Sequence, residues 1–125
     1  MKSWVGRSIL VIGMLHTLVG VAAFHEVLFS ILREGLFNTI PLNRQPEREA
    51  AFWFLFTGFA LLIIGGLVVW IERNRMDTPV FLSWGFLFIT TAGAFMMPVS
   101  GFWLLLMPTI GLFQRRSKSG AGRIR

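Results

Sequence analysis

The chain has 125 residues, of which 54% are hydrophobic and 14% charged, with a net charge of +6 and neither cysteine nor tyrosine. A soluble domain this small could not hide that much apolar surface, so long apolar stretches point to a bilayer as the solvent. Without cysteine there are no disulfides, thiolate metal sites, iron–sulfur ligands or cysteine nucleophile, and without tyrosine no phenolic acid or radical.

Four apolar segments follow one another. The first runs from about Trp4 to Phe24, the second from about Ala50 to Ile71, the third from about Pro79 to Met97, and the fourth from Ser100 to Phe113. A helix needs about 20 residues to cross a hydrocarbon core of about 30 Å. The first three segments meet that length. The fourth meets it only if its helix continues into Gln114–Ser117, with basic side chains reaching to the interface. In lipid the backbone must satisfy its own hydrogen bonds, so the segments read as helices. The expected fold is all-α, a transmembrane up-down four-helix bundle over residues 1–114, followed by a basic, disordered tail over 115–125 that prefers anionic lipid.

Segment one carries Gly6, Gly13 and Gly20 at intervals of seven, with His16 and Ala23 on nearly the same stripe. Small residues at that spacing let a second backbone approach closely, which is how helices associate in lipid. His16 therefore points into the bundle near mid-span. An ionisable group at that depth marks a functional hypothesis and needs a partner. The expected form is a neutral imidazole donating to an acceptor on a neighbouring helix, with Thr57, Thr90 and Thr91 as candidates. Two alternatives stand side by side: His16 as the polar group of a ligand pocket, and His16 as a packing bond. The threonines have their own alternative, bonding to the preceding turn of their own helix.

The start of segment one, with Lys2, Arg7 and "VAA" at 21–23, also resembles a signal peptide cleaved after Ala23. Removing residues 1–23 would leave three spans and spoil the charge asymmetry described below.

The connection from His25 to Glu49 opens with "HEVLFSILREG", an amphipathic stretch. Phe24, Val27, Leu28, Ile31 and Leu32 share one face, and Glu26, Arg33 and Glu34 lie off it. It reads as an extension of helix one or a short interfacial helix ending near Gly35. Prolines at 41 and 46 mark turns, and Pro46 with Glu47 and Glu49 suits a helix first turn. His25, Glu26 and Glu49 form an outer-mouth polar cluster. It reads as a metal, proton-relay or acid–base group, or as a rim of solvated, compensating charge. His16 and His25 fall on opposite helix faces, so they cannot share a metal or haem.

Segment two and segment three are rich in phenylalanine, which suits an apolar ligand or a lipid-facing surface. Gly65–Gly66, Gly93 and Gly111 read as close-packing positions, and the tryptophans mostly as interfacial anchors. In segment four, Pro108 lacks an N–H and predicts a kink that frees the carbonyl of Leu104.

With four spans, Lys2, Arg7, Arg73, Arg75, Arg115, Arg116, Lys118, Arg123 and Arg125 share one side, against Arg33, Arg44 and Arg48 on the other. That bias places both termini in the cytoplasm. No phosphate-binding loop, zinc-protease helix motif, nucleophile elbow or dinucleotide fingerprint occurs.

Three stretches, "GRSILVIGMLHTLVG", "FWFLFTGFALLIIGGLVVWIE" and "PVSGFWLLLMPTIGLF", resemble a family of small uncharacterised bacterial four-span integral membrane proteins over nearly the full length. The resemblance implies a bacterial inner-membrane setting and supplies no activity. Two function classes follow. One is a non-enzymatic module that binds a lipophilic small molecule, a second copy or a larger membrane complex. The other is a small intramembrane enzyme or permease using His16. The bilayer is an expected partner and nucleic acid is not. The first class is preferred, because a lone histidine beside threonines lacks the paired acid and base of most catalysis, and the residues specify no cofactor.

Overall fold

The computed structural model describes residues 3–40 and 44–122, and in them every regular element is helical. Helix α1 covers Trp4–Ala23, α2 His25–Arg33, α3 Pro46–Arg73 and α4 Val80–Met96. A 3₁₀ turn over Gly101–Leu105 leads into α5, Leu106–Gly122. Lys2, Pro41, Arg123 and Arg125, used above for topology and turns, lie outside the described residues.

The fold is organised by an antiparallel seam between α1 and α3. On α1 the seven-spaced Gly6, Gly13 and Gly20 are buried. On α3 a matching seven-spaced row, Ala51, Gly58, Gly65 and Glu72, is buried opposite them. A Cβ built on Gly13 would lie 3.1 Å from the backbone nitrogen of Leu62, and one on Gly65 2.8 Å from that of Leu10. Gly20 lies against Phe54, Gly6 against Val69 and Gly58 against Thr17. At Gly6, Gly13 and Gly65 backbone meets backbone because glycine presents nothing in between, while at Gly20 and Gly58 side chains of the facing helix fill the space. Gly93 receives the ring of Phe102, and Gly111 receives Trp4 and Val5. Gly66 faces open space, so of the Gly65–Gly66 pair expected to pack, only Gly65 does.

Helix α5 packs on α1 and on α4, and α4 also packs on the 3₁₀ turn. Among the described residues α4 makes no close backbone approach to α1 or α3. The shared core is Val5, Ile9, Ile12, Val68, Phe86, Leu105 and Leu112. These residues lie towards the end where α1 begins, called the near end here. Along the other half of α1, Leu15, Leu18, Val19 and Val21 are 47–60% exposed.

By length and composition two helices, α1 and α3, are long and apolar enough to cross a membrane. Helix α4 is apolar but has 17 residues, and the apolar part of the fourth segment is divided between the 3₁₀ turn and α5. Pro108 therefore does not kink a long helix. It occupies the first turn of α5, where a missing N–H leaves no bond unmade. Beyond Phe113, α5 continues through the basic stretch to Gly122, a correction to the disordered tail expected there. The backbone ladder and Arg115, tied into the bundle, carry that helix onward.

Helix α2 ends as its sequence implies. Gly35, at φ +91°, donates to the carbonyl of Leu32, and Leu36 donates to that of Ile31, the paired bonds of a glycine-terminated helix.

Candidate functional site

His16 projects from α1 to the α1–α3 seam, half-buried, with Nε2 3.0 Å from the carbonyl oxygen of Phe54. A carbonyl only accepts, so Nε2 carries the hydrogen. The imidazole also stacks on the Phe54 ring, with centroids 4.0 Å apart. The expected donation to a neighbouring helix is present, but its acceptor is backbone and none of the three threonines. Nδ1 has no partner among the described residues and is not sealed from the surface.

The threonines are not gathered around it. Thr57 and Thr91 are exposed and donate to the carbonyls of Trp53 and Leu87 in their own helices, both four residues back. Thr90 is fully buried and lies 3.3 Å from the hydroxyl of Thr109 on α5. Thr109 spends its own hydrogen on the carbonyl of Leu105, which makes Thr90 the donor of the pair. The four residues expected as one pocket thus occupy three separate environments. The reason is rotational phase: the seam glycines fix which side of α3 faces α1, and Thr57 falls off that side.

The outer-mouth cluster is dispersed as well. Nδ1 of His25 lies 3.0 Å from the carbonyl of Ala22, closing the end of α1. Its Nε2 is 3.9 Å from Glu26, with the two side chains 70% and 89% exposed, so the pair is a solvated one of little strength. Glu49 is half-buried and engaged on the first turn of α3. Among the described residues no three His, Asp or Glu side chains converge as metal ligands would.

Two polar centres that the sequence did not single out tie the helices together. At the near end Glu72, 2% exposed, accepts from the backbone N–H groups of Val5 at 3.3 Å and Gly6 at 3.0 Å. Arg115 of α5 donates to the same carboxylate at 3.0 Å. Ser3, the residue just before α1, supplies no side-chain cap. Glu72 takes that role from another helix, answering the orphan N–H groups and positive pole of α1. The signal was in the spacing, since Gly58, Gly65 and Glu72 are seven apart. Gly65 meets Leu10, so seven residues further Glu72 comes level with the start of α1.

At the far end the guanidinium of Arg48 forks onto Glu34, with Nη2 to Oε1 at 2.6 Å and Nη1 to Oε2 at 2.7 Å. It also donates to the carbonyl of Thr39 at 2.7 Å and the hydroxyl of Ser30 at 3.1 Å. One side chain of α3 thereby fixes the end of α2 and the turn after it. No local pattern marks this contact, because it joins residues 14 apart across a turn. The Arg48 hydrogen bond, assisted by its charge, holds the Glu34 carboxyl below the usual carboxylate range, against a smaller opposing effect of burial. A carboxyl lowered in the folded state contributes stability above its ordinary value and loses it as pH falls through the lowered one. The amide resonances of residues 34–39, followed on acidification, should therefore hold until below the ordinary carboxylate range and then move together. Movement at or above that range would contradict the fork.

The molecule so defined is an all-α protein with a glycine-seamed helical hairpin, two helices of membrane-crossing length and polar staples at both ends. The chain belongs to DUF6463, a family of unknown function, whose model matches residues 1–119. No curated protein and no solved structure matches it.

Proposed function

We propose that the chain is a four-span integral module of a bacterial inner membrane, with both termini cytoplasmic. In this reading it binds a lipophilic small molecule or a membrane-protein partner and turns nothing over. The near end carries Arg7, Arg73, Arg75, Arg115, Arg116 and Lys118, in keeping with a cytoplasmic face. In α4, Phe81 and Phe88 are 75% and 73% exposed, as lipid-facing side chains are. The α5 helix passes beyond Phe113, which lends the fourth segment the length it lacked.

The observation that carries the binding role is the second nitrogen of His16. With Nε2–H committed to Phe54, a neutral ring offers Nδ1 as an acceptor at the half-buried middle of α1. An acceptor left unpaired in hydrocarbon is costly, so a donor from outside the chain would be favoured there. Around it Leu15 and Val19 remain exposed, giving an apolar setting for such a molecule. The catalytic alternative draws less support, since His16 meets the carbonyl and the phenyl ring of Phe54, neither of which moves a proton.

Native mass spectrometry from mild detergent tests the reading. The wild type should carry an apolar adduct or a second protein chain, and His16→Phe should lose it while its unfolding free energy changes by no more than about 1 kcal/mol, the size of one hydrogen bond. Equal retention by the variant would discard His16 as the seat. Collapse of the melt would assign it to packing.

A further inference from the structure

The amphipathic helix α2 has three flanks. Ile31, 7% exposed, turns to the bundle, where Arg48 binds Ser30 on a neighbouring flank. Phe29 and Leu32, 57% and 60% exposed, occupy a second flank. Glu26 and Arg33 lie on the third, at 100° per residue. A helix with one side on protein, one apolar and uncovered, and one charged is built for a boundary between oil and water. The apolar flank continues past the helix end. Leu36, at φ +67°, holds a conformation that leucine rarely adopts, and Leu36 and Phe37 are 63% and 92% exposed. The strained turn is pinned from beneath by the Arg48 fork on Glu34 and Thr39. A rigid support thus presents two large apolar side chains outward.

Height fixes what they meet. Helix α1 has 20 residues, a rise of about 30 Å, the depth of a hydrocarbon core. Only Phe24, at φ −111° and ψ 18°, separates its end from α2. If α1 crosses the bilayer, α2 lies at the edge of the hydrocarbon. The Arg33 guanidinium sits 4.7 Å over the Phe29 ring, as a side chain does when its stem lies on apolar surface and its charge rises to water. A second apolar projection stands at the same end of the fold, where α4 closes: Met96 and Val99 are 79% and 100% exposed. Two projections on separate elements at one end suit a plane better than the patch of a single protein partner.

We infer that α2 and the turn through Asn38 form a membrane wedge, in which Phe29, Leu32, Leu36 and Phe37 enter the boundary between acyl chains and headgroups of the leaflet at the far end. This rests on the spanning reading proposed above and adds a surface whose partner is lipid.

The absence of cysteine makes the test direct. Single variants Leu32→Cys, Phe37→Cys, Glu26→Cys and Ile63→Cys carry an environment-sensitive fluorophore in phosphatidylcholine vesicles. Quenchers are nitroxides placed shallow or deep on the acyl chain, and aqueous iodide. All four replaced side chains are exposed, so the fold tolerates the labels. Labels at 32 and 37 should emit to the blue, respond most to shallow nitroxide and ignore iodide. The label at 26 should respond to iodide, and that at 63, in mid-α3, to deep nitroxide. Iodide quenching at 32 and 37 with deep quenching kept at 63 overturns the wedge and leaves the spanning reading standing. Iodide quenching at 63 overturns both. A blue shift at 37 that disappears as lipid dilutes the protein would show a second copy covering the face, and would also overturn the wedge.

Discussion

Glu72→Ala is expected to be the most damaging single truncation in this chain, costing about 3–5 kcal/mol, the size seen when one partner of a buried ion pair is removed. Its side chain is 1% exposed and meets three donors from two other helices. Truncation leaves the Arg115 guanidinium, 13% exposed, and the N–H groups of Val5 and Gly6 without that acceptor. Thermal or denaturant unfolding in detergent micelles measures the loss. Arg115→Met should cost less, because the carboxylate keeps its two backbone donors. The double variant Glu72→Leu, Arg115→Met should recover part of the sum, since neither charge is then stranded. Full recovery is not expected, because the two N–H groups stay unanswered at about 1–3 kcal/mol. By contrast Thr90→Val, which removes a buried hydroxyl pair, should cost only about 0.6 kcal/mol, the average for such bonds between membrane helices. If Thr90→Val proved worse than Glu72→Ala, the near-end staple would not be what holds the helices together.

Gly65→Val is expected to separate α1 from α3. A Cβ on Gly65 falls 2.8 Å from the backbone nitrogen of Leu10, and backbone cannot step aside as a side-chain tip can. The cost should reach about 3 kcal/mol, the upper part of the range for overpacking. Gly66, one residue on, provides the control. Beyond its chain neighbours and its own helix backbone no atom lies within 4 Å of its Cβ position, so Gly66→Ala should be neutral or stabilise by up to about 1 kcal/mol through helix propensity. The same contrast should appear between Gly13→Leu and Gly85→Ala, because Gly85 also faces open space. Unfolding midpoints of the four variants decide the matter. Equal effects at 65 and 66 would deny the seam.

The gap between expectation and structure at His16 follows from how each signal is encoded. Its position on the glycine stripe could be read from spacing, because small residues every seven positions define a helix face. Its acceptor could not. Thr57 looked like a partner by depth along α3, yet depth is only one of two coordinates, and rotation about the α3 axis turns it away. The carbonyl of Phe54 carries no side-chain signature, so no composition or motif marks it. Glu72 lies between these cases. Its register with Gly58 and Gly65 was present in the sequence, but its meaning appeared only once those glycines were seated against α1. The Arg48 fork lay further from reach, because a turn that includes residues at positive φ brings Glu34 and Thr39 under it.

The sequence by itself determined the helical class, the apolar segments, the seven-residue glycine row and the end of α2 at Gly35. Each of these depends on chemistry local to one helix: periodicity, the absence of a Cβ, or a conformation that glycine permits. The tertiary structure decided which polar groups meet. It chose a backbone carbonyl for His16, drew Glu72 to the start of α1, and carried α5 through the basic stretch. Those outcomes depend on the rotation and offset of one helix against another. These are set jointly by all the packed faces, so no single segment records them.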